Sequence, residues 1–238
     1  MADRFYTPEP LGPGEFVLAG ADAHHLAVVR RFAPGDAVTL FNGDGHDYPA
    51  TVVSAGKKSV VLSVAAGVAA DRELPFPLVV AAALPKADRA DFLVEKLTEL
   101  GVSEFVPLVT ARSVVLAKGA KVEKLERAVI EASKQCGRNR LMRVRPPTAW
   151  ADLLASPDLP PVRVVLHPPP DGERSVALSR LSGSAGVAVA VGPEGGFTPD
   201  ELAAADAAGW GRAALGPRVL RVETAAVAAA AILGERGA

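Results

Sequence analysis

One cysteine, two tryptophans, two tyrosines and two methionines are all that 238 residues contain of those types, and each scarcity closes a route. A lone Cys136 can form no intrachain disulfide and cannot build a multi-thiolate zinc site. Aromatic residues make up 5% of the chain, too few for a surface on which successive bases stack. No apolar segment is both long enough and free enough of turn residues to span a bilayer. The opening residues "MADRFYTPEP" carry no apolar stretch of the secretory kind. Together these features predict a cytoplasmic chain with no membrane partner. G-x-G-x-x-G is missing, and no glycine-rich stretch leads into Gly-Lys-Ser/Thr, which disfavours a dinucleotide or a nucleoside triphosphate as ligand. A metal is not expected either, because the adjacent His24 and His25 point in different directions on a helix and no H-E-x-x-H pattern occurs.

What is present belongs to a globular protein. Hydrophobic residues are 49% of the chain and charged residues 22%, enough for a sizeable core and against wholesale disorder. The formal net charge of −1 hides an uneven distribution. Lys134, Arg138, Arg140, Arg143 and Arg145 follow one another with no acid between them, a local cationic segment suited to phosphates.

The chain reads as two parts. Up to about residue 70, short alternating runs such as "EFVLAG" and "DYPATVVSAG" are broken by turn signals at Pro34-Gly35, Asn42-Gly43 and Asp44-Gly45, which predicts a compact β-barrel or small sheet. The segment "DAHHLAVVRRF" interrupts it as one short helix, with Asp22 as its N-cap and Leu26, Val29 and Phe32 along one side. Around Pro75 and Pro77 the texture changes. Strands "LVVAAAL", "EFVPLV", "VRVVL" and "VAVAV" then alternate with helical stretches, among them Asp88 to Leu100, "KVEKLERAVIEASKQ" and a segment near "ERSVALSRL". That alternation predicts an α/β domain with a mostly parallel sheet. The boundary is placed between residues 72 and 73.

Two glycine loops stand out. "VAVAVGPEGGFTPDEL" is an apolar strand, a loop from Gly192, and a helix announced by Thr198 and Glu201 at capping-box spacing with Pro199 at the first helical position. "AALGPRVLRVETAAVAAAAIL" repeats the theme, with a short strand ending at Leu215, Gly216-Pro217, and an Ala-rich helix from about Glu223. Loops at the carboxyl ends of strands are where open α/β sheets bind ligands. A plain strand-to-helix turn is the other reading of each.

The blocks "HHLAVVRRFAPGDAVTLFNGDG", "ALPKADRADFLVEKLTELGVSEFVPLVTARSVV", "EASKQCGRNR", "VGPEGGFTPDEL" and "LGPRVLRVETAA" closely resemble the RsmE family of uracil-N3 methyltransferases acting on 16S, or small-subunit, rRNA. The resemblance covers nearly the whole chain. It implies a PUA-like RNA-binding barrel over residues 1–72 and a SPOUT methyltransferase domain with a trefoil knot over residues 73–238. It also implies a homodimer, S-adenosylmethionine as cofactor, and 16S rRNA or the small ribosomal subunit as partner. Carried over by position, the cofactor site comprises Leu166, His167, Val191, Gly192, Pro193, Glu194, Gly195, Gly196, Leu215, Gly216, Val219, Leu220 and Arg221. One departure from the family pattern lies in the helix before "EA", where Leu125 and Glu126 occupy the place of an arginine–tryptophan pair.

Uracil N3 carries a proton, and its lone pair is delocalised until that proton leaves. A guanidinium near the uracil oxygens would favour the anion, and a carboxylate or an imidazole could take the proton. Arg221 and Glu223 are the catalytic candidates; a helix N-terminal acid that serves the dipole is the alternative for Glu223. Arg30, Arg31, Lys57, Lys58, Lys134, Arg138 and Arg140 are the expected RNA contacts, supplying salt-dependent affinity. Two other functions are compatible with the same residues: a SPOUT methyltransferase with a different RNA target, and a non-catalytic ribosome-assembly factor.

Overall fold

The computed structural model describes residues 3–56, 58–86, 88–115, 119–167, 176–181 and 185–235. The chain divides into two units, one of Met1–Arg72 with Ser133–Leu141 and one of Glu73–Ala132 with Met142–Ala238. The division is thus discontinuous, because residues 133–141, with Lys134, Arg138 and Arg140 of the basic segment, belong to the first unit.

The first unit is a curled sheet. Its strands are β1 (Arg4–Tyr6), β2 (Gly14–Ala19), β3 (Ala37–Phe41), β4 (His46–Ala55), β5 (Ser59–Val64) and β6 (Val68–Ala69). They run in the order β1-β3-β4-β5-β2, with β6 paired to β4. Side chains alternate along β4 and β5 between buried and exposed, as a sheet with one covered face requires. Phe5, Leu18, Val38, Leu40, Val52, Val60 and Leu62 form the core on that face. A bulge between Val52 and Ser54 shifts the β4–β5 register and adds local twist.

The interrupting helix differs from its sequence reading. α1 covers only Gly20–His24 and passes into a π-helical turn at His25–Val29. The wider turn rotates later side chains off an α-helical stripe. Leu26 is therefore buried while Val29 is exposed. Asp22 is not the N-cap. Ala19 holds that position, and the Asp22 carboxylate instead accepts hydrogen bonds from the Tyr6 amide at 3.1 Å and from Lys134 Nζ at 2.7 Å.

In the second unit the strands are β7 (Leu78–Ala83), β8 (Glu104–Val109), β9 (Arg143–Val144), β10 (Thr148–Ala149), β11 (Val162–Leu166), β12 (Val187–Val191) and β13 (Gly211–Ala213). The helices are α2 (Arg89–Glu99), α3 (Gly119–Cys136, whose last turn from Ser133 lies in the first unit), α4 (Trp150–Ala155), α5 (Pro199–Ala207) and α6 (Val222–Gly234). Every strand pairing is parallel, in the order β10-β8-β7-β12-β11-β13, with β9 beside β8. All residues of β7 and β12 are buried, as expected for central strands of a parallel sheet covered on both faces. On one face Val79, Ala81, Ala188 and Ala190 pack with Trp150, Leu153, Leu202 and Trp210. On the other, α6 lies against β7, β12 and α2. Its buried residues Ala225, Ala226, Ala229 and Ala230 are short enough to let the helix approach the sheet closely.

Some element ends move. The last strand stops at Ala213 rather than Leu215, and α6 begins at Val222. Of the stretch near "ERSVALSRL", the described part is one 3-10 turn, Leu178–Arg180. No helix among the described residues is long and apolar enough to cross a membrane.

Candidate functional site

Because β11, β12 and β13 are parallel neighbours, their carboxyl ends lie along one edge, and the loops that follow them converge. A cavity of about 570 Å³ opens there, within the usual range for small-molecule sites. Leu166 and His167 close one side. Val191, Gly192, Pro193, Glu194, Gly195, Gly196 and Phe197 form a second wall, and Ala213 to Leu220 with Val222 and Ala225 form the third.

The second wall is fixed from several directions. The Gly196 amide donates to the Pro193 carbonyl at 2.8 Å, closing a tight turn, and Gly196 has φ +67°, a conformation that side-chain-bearing residues avoid. Thr198 and Glu201 form the reciprocal capping box, at 3.2 and 2.8 Å. The far end of α5 closes in a Schellman motif, with Gly209 donating to the Asp206 carbonyl and Trp210 to the Ala205 carbonyl, both at 3.0 Å. Beneath the loop the Phe197 ring packs 4.8 Å from Trp150, which packs 5.6 Å from Trp210. Both tryptophans of the chain are therefore spent on holding this loop. Neither is left to stack on a base.

Close approach explains two glycines here. A Cβ on Gly192 would sit 2.9 Å from two Phe197 ring carbons, and one on Gly195 would meet the Arg112 side chain at 3.2 Å. Arg112, from the loop after β8, donates through Nη1 to the Gly195 carbonyl at 2.7 Å. The neighbouring Ala111 amide donates to Glu201 Oε1 at 2.8 Å. Burial pushes the His167 imidazole below its ordinary pKa, and the nearby Arg212 guanidinium pushes it the same way, so the ring facing the cavity is neutral near pH 7.

Residues 72–234 match the family model of an RNA methyltransferase domain, and residues 18–65 that of an RNA methyltransferase PUA domain. The chain is 35% identical to ribosomal RNA small subunit methyltransferase E of Mycobacterium bovis, over 92% of this chain and 85% of that one. It is 30% identical to the Bacillus subtilis protein of the same name, over 88% and 86%. The chain belongs to the RsmE family of RNA methyltransferases. Among solved structures, the RsmE of Neisseria gonorrhoeae bound to S-adenosylmethionine superimposes with a TM-score of 0.86 at 30% identity, covering 97% of this chain and 96% of that one. A Legionella pneumophila protein with the same cofactor bound gives 0.89 at 31%, covering 100% and 98%.

Within this RsmE-family chain, twelve of the thirteen residues expected at the cofactor site line the cavity, from Leu166 to Leu220. Arg221 does not. It is the exposed N-cap residue of α6, between the lining residues Leu220 and Val222. Glu223 is also outside the lining. Although its neighbours Val222 and Ala225 face the cavity, its carboxylate is buried in the first turn of α6, 3.5 Å from Arg89 Nη1. Its second oxygen, Oε2, is buried with no hydrogen-bond partner among the described residues.

The expected RNA contacts separate in the same way. Arg31, Lys58 and Arg140 are exposed. Arg30 is exposed but pairs with Asp3 at 2.5 Å. Lys134 is committed to Asp22, and Arg138 is only 3% exposed, so neither offers a free cation to RNA: both sit where the returning segment is clamped within the first unit. The same clamp includes Asp47, held by Arg4 at 2.9 Å and Arg72 at 2.8 Å, while Arg4 also donates to the Arg138 carbonyl. Lys57 lies outside the described residues. Sequence reasoning missed Phe197, Ala213, Ala214, Val222 and Ala225 as lining residues. For the last two, helical spacing from the end of the second glycine loop would have found them. Arg89 and Arg112 gave no local signal, because they reach the site only through strand order.

Proposed function

We propose that this protein is an S-adenosylmethionine-dependent methyltransferase that modifies the N3 atom of a uridine in 16S rRNA. The observation that carries this reading is the cavity formed by three loops at the carboxyl ends of adjacent parallel strands. Its residues fit the cofactor. At Gly196 a Cβ would stand in open space, with no heavy atom within 4 Å, and Leu166, Val191, Leu215, Leu220 and Val222 give apolar walls for a flat adenine.

When bound, the cofactor supplies an electrophilic methyl group. The chain's own residues must do the rest. A neutral His167 at the cavity would add no positive charge of its own near a bound sulfonium. Arg221, exposed at the N-cap of α6, is the guanidinium we assign to the uracil oxygens, where it would favour loss of the N3 proton. Glu223 steadies α6 and Arg89 from behind the wall. Arg31, Lys58 and Arg140 supply phosphate contacts, with Arg30 joining them if its pair with Asp3 opens. A flipped or single-stranded uridine is required, since pairing hides N3.

The trefoil knot, the homodimer and a cytoplasmic location belong to the same proposal. Val219, 99% exposed at the cavity mouth, is an apolar side chain that a second subunit would cover. Sedimentation at assay concentration should give a dimer.

The test is methyl transfer from labelled S-adenosylmethionine to small subunits lacking the modification, followed by nucleoside analysis. Label in 3-methyluridine is expected. Label in another nucleoside would move the target, and cofactor binding with no transfer to any RNA would favour an assembly factor. Arg221→Ala should lower kcat about a hundredfold or more, whereas Glu223→Gln should act mainly through stability.

A further inference from the structure

Arg112 is an exposed arginine with one hydrogen bond, to the Gly195 carbonyl, and no ion-pair partner among the described residues. Among the described residues four of its five N–H donors are uncommitted, in the planar fork that suits a phosphate. Its base is well anchored. The Ala111 amide is tied to Glu201, and the Thr110 amide donates to Ser113 Oγ at 2.9 Å. Its stem passes so near Gly195 that a Cβ there would be crowded. The residue it holds, Gly195, lines the cavity.

We propose that Arg112 is a positioning residue that binds a phosphate of the incoming RNA strand and, through the Gly195 carbonyl, orders the cofactor loop, so that RNA and methyl donor bind cooperatively. The inference rests on the methyltransferase reading above. A guanidinium that holds an anion on one edge is less free to move on the other, so the turn at Pro193–Gly196 is steadied when RNA is present. Linkage makes the effect reciprocal: RNA tightens the donor and the donor tightens RNA by the same factor.

The experiment measures affinity for sinefungin, a non-transferable analogue of the donor, with and without small ribosomal subunits lacking the modification. RNA affinity is followed against salt in parallel. Wild-type protein should bind the analogue about tenfold more tightly when RNA is present. In Arg112→Ala that factor should fall to near one, and the slope of log affinity against log salt should lessen by about 0.7 for a single-stranded contact. Arg112→Lys should keep the salt slope and lose most of the coupling, because an ammonium cannot bridge phosphate and carbonyl with one planar group. A folded Arg112→Ala protein with unchanged coupling and slope overturns the proposal. Methyl transfer by the wild type, run alongside, separates the two levels: transfer with intact coupling in Arg112→Ala removes the Arg112 role alone, and no transfer to any RNA removes the functional reading beneath it.

Discussion

Replacing Gly192 by alanine adds one carbon at a defined place. The new Cβ lies 2.9 Å from two ring carbons of Phe197, roughly 0.5 Å or more inside the optimal separation of carbon atoms. Gly192 does not have a positive φ, so the backbone tolerates alanine and the clash alone sets the cost. The ring has few ways to yield. It is 4% exposed and packed 4.8 Å from Trp150, and movement the other way narrows the cavity that it lines. Overpacking of this kind costs about 1–3 kcal/mol, and at this chain length each kcal/mol lowers Tm by roughly 2–4 °C. Affinity for S-adenosylmethionine should fall about tenfold or more, equivalent to ~1.4 kcal/mol. Calorimetric melting and isothermal titration read the two effects. The decisive control is Phe197→Leu, which destabilises alone but makes room for the new carbon. The double variant should be more stable than the sum of the single costs predicts, by about 1 kcal/mol or more. Strict additivity would mean that the ring does not enforce glycine at this position.

Asp47 carries a second prediction. Burial would raise its carboxyl, but hydrogen bonds from Arg4 and Arg72 outweigh burial and hold it below its ordinary value. Its stabilising contribution is therefore complete above the unfolded-state value of about 3.9 and is lost as pH falls through the lowered value. Asp47→Ala should cost about 3 kcal/mol, since it strands the buried Arg4, and should flatten the acid limb of the stability profile; a limb identical to wild type would contradict this. For His167 the sign is the same, in a higher pH window, because its unfolded-state value is about 6.5. With its folded-state pKa lowered by burial and by Arg212, protonation below about pH 6.5 disfavours the native state and puts a cation near a bound sulfonium. Cofactor affinity should therefore weaken in acid, and His167→Asn should remove that dependence in titrations across pH 5–8. Glu201→Gln should weaken both the capping box and the tie to Ala111, costing about 1 kcal/mol and loosening the cofactor loop; hydrogen exchange at Gly195 and Gly196 that matches wild type would exclude the tie.

The glycine loops were legible because they depend on local chemistry. A strand of small apolar residues, a turn that needs glycine, and Thr198, Pro199 and Glu201 at fixed offsets announce themselves along the chain. So does the parallel sheet, since β7 and β12 are buried on both faces and therefore read as unbroken apolar runs. The wider turn at His25–Val29 was not legible, because nothing in "HHLAVV" distinguishes π-helical from α-helical bonding. Nor was the split in the basic segment. Lys134, Arg138 and Arg140 look alike as sequence, yet Asp22 takes the first, burial takes the second, and only Arg140 of the three stays exposed.

The sequence by itself determined the strand-loop-helix units, the chemistry of the glycine loops and the family. It did so because capping, turn conformation and binary patterning act within a few residues. Tertiary structure alone decided that three loops share one cavity, that Arg112 reaches Gly195 from 83 residues away, and that Glu223 faces Arg89 instead of the cavity. Those outcomes depend on strand order and on which charges find partners. Both are set by packing across the sheet, and neither is written in the neighbourhood of the residues concerned.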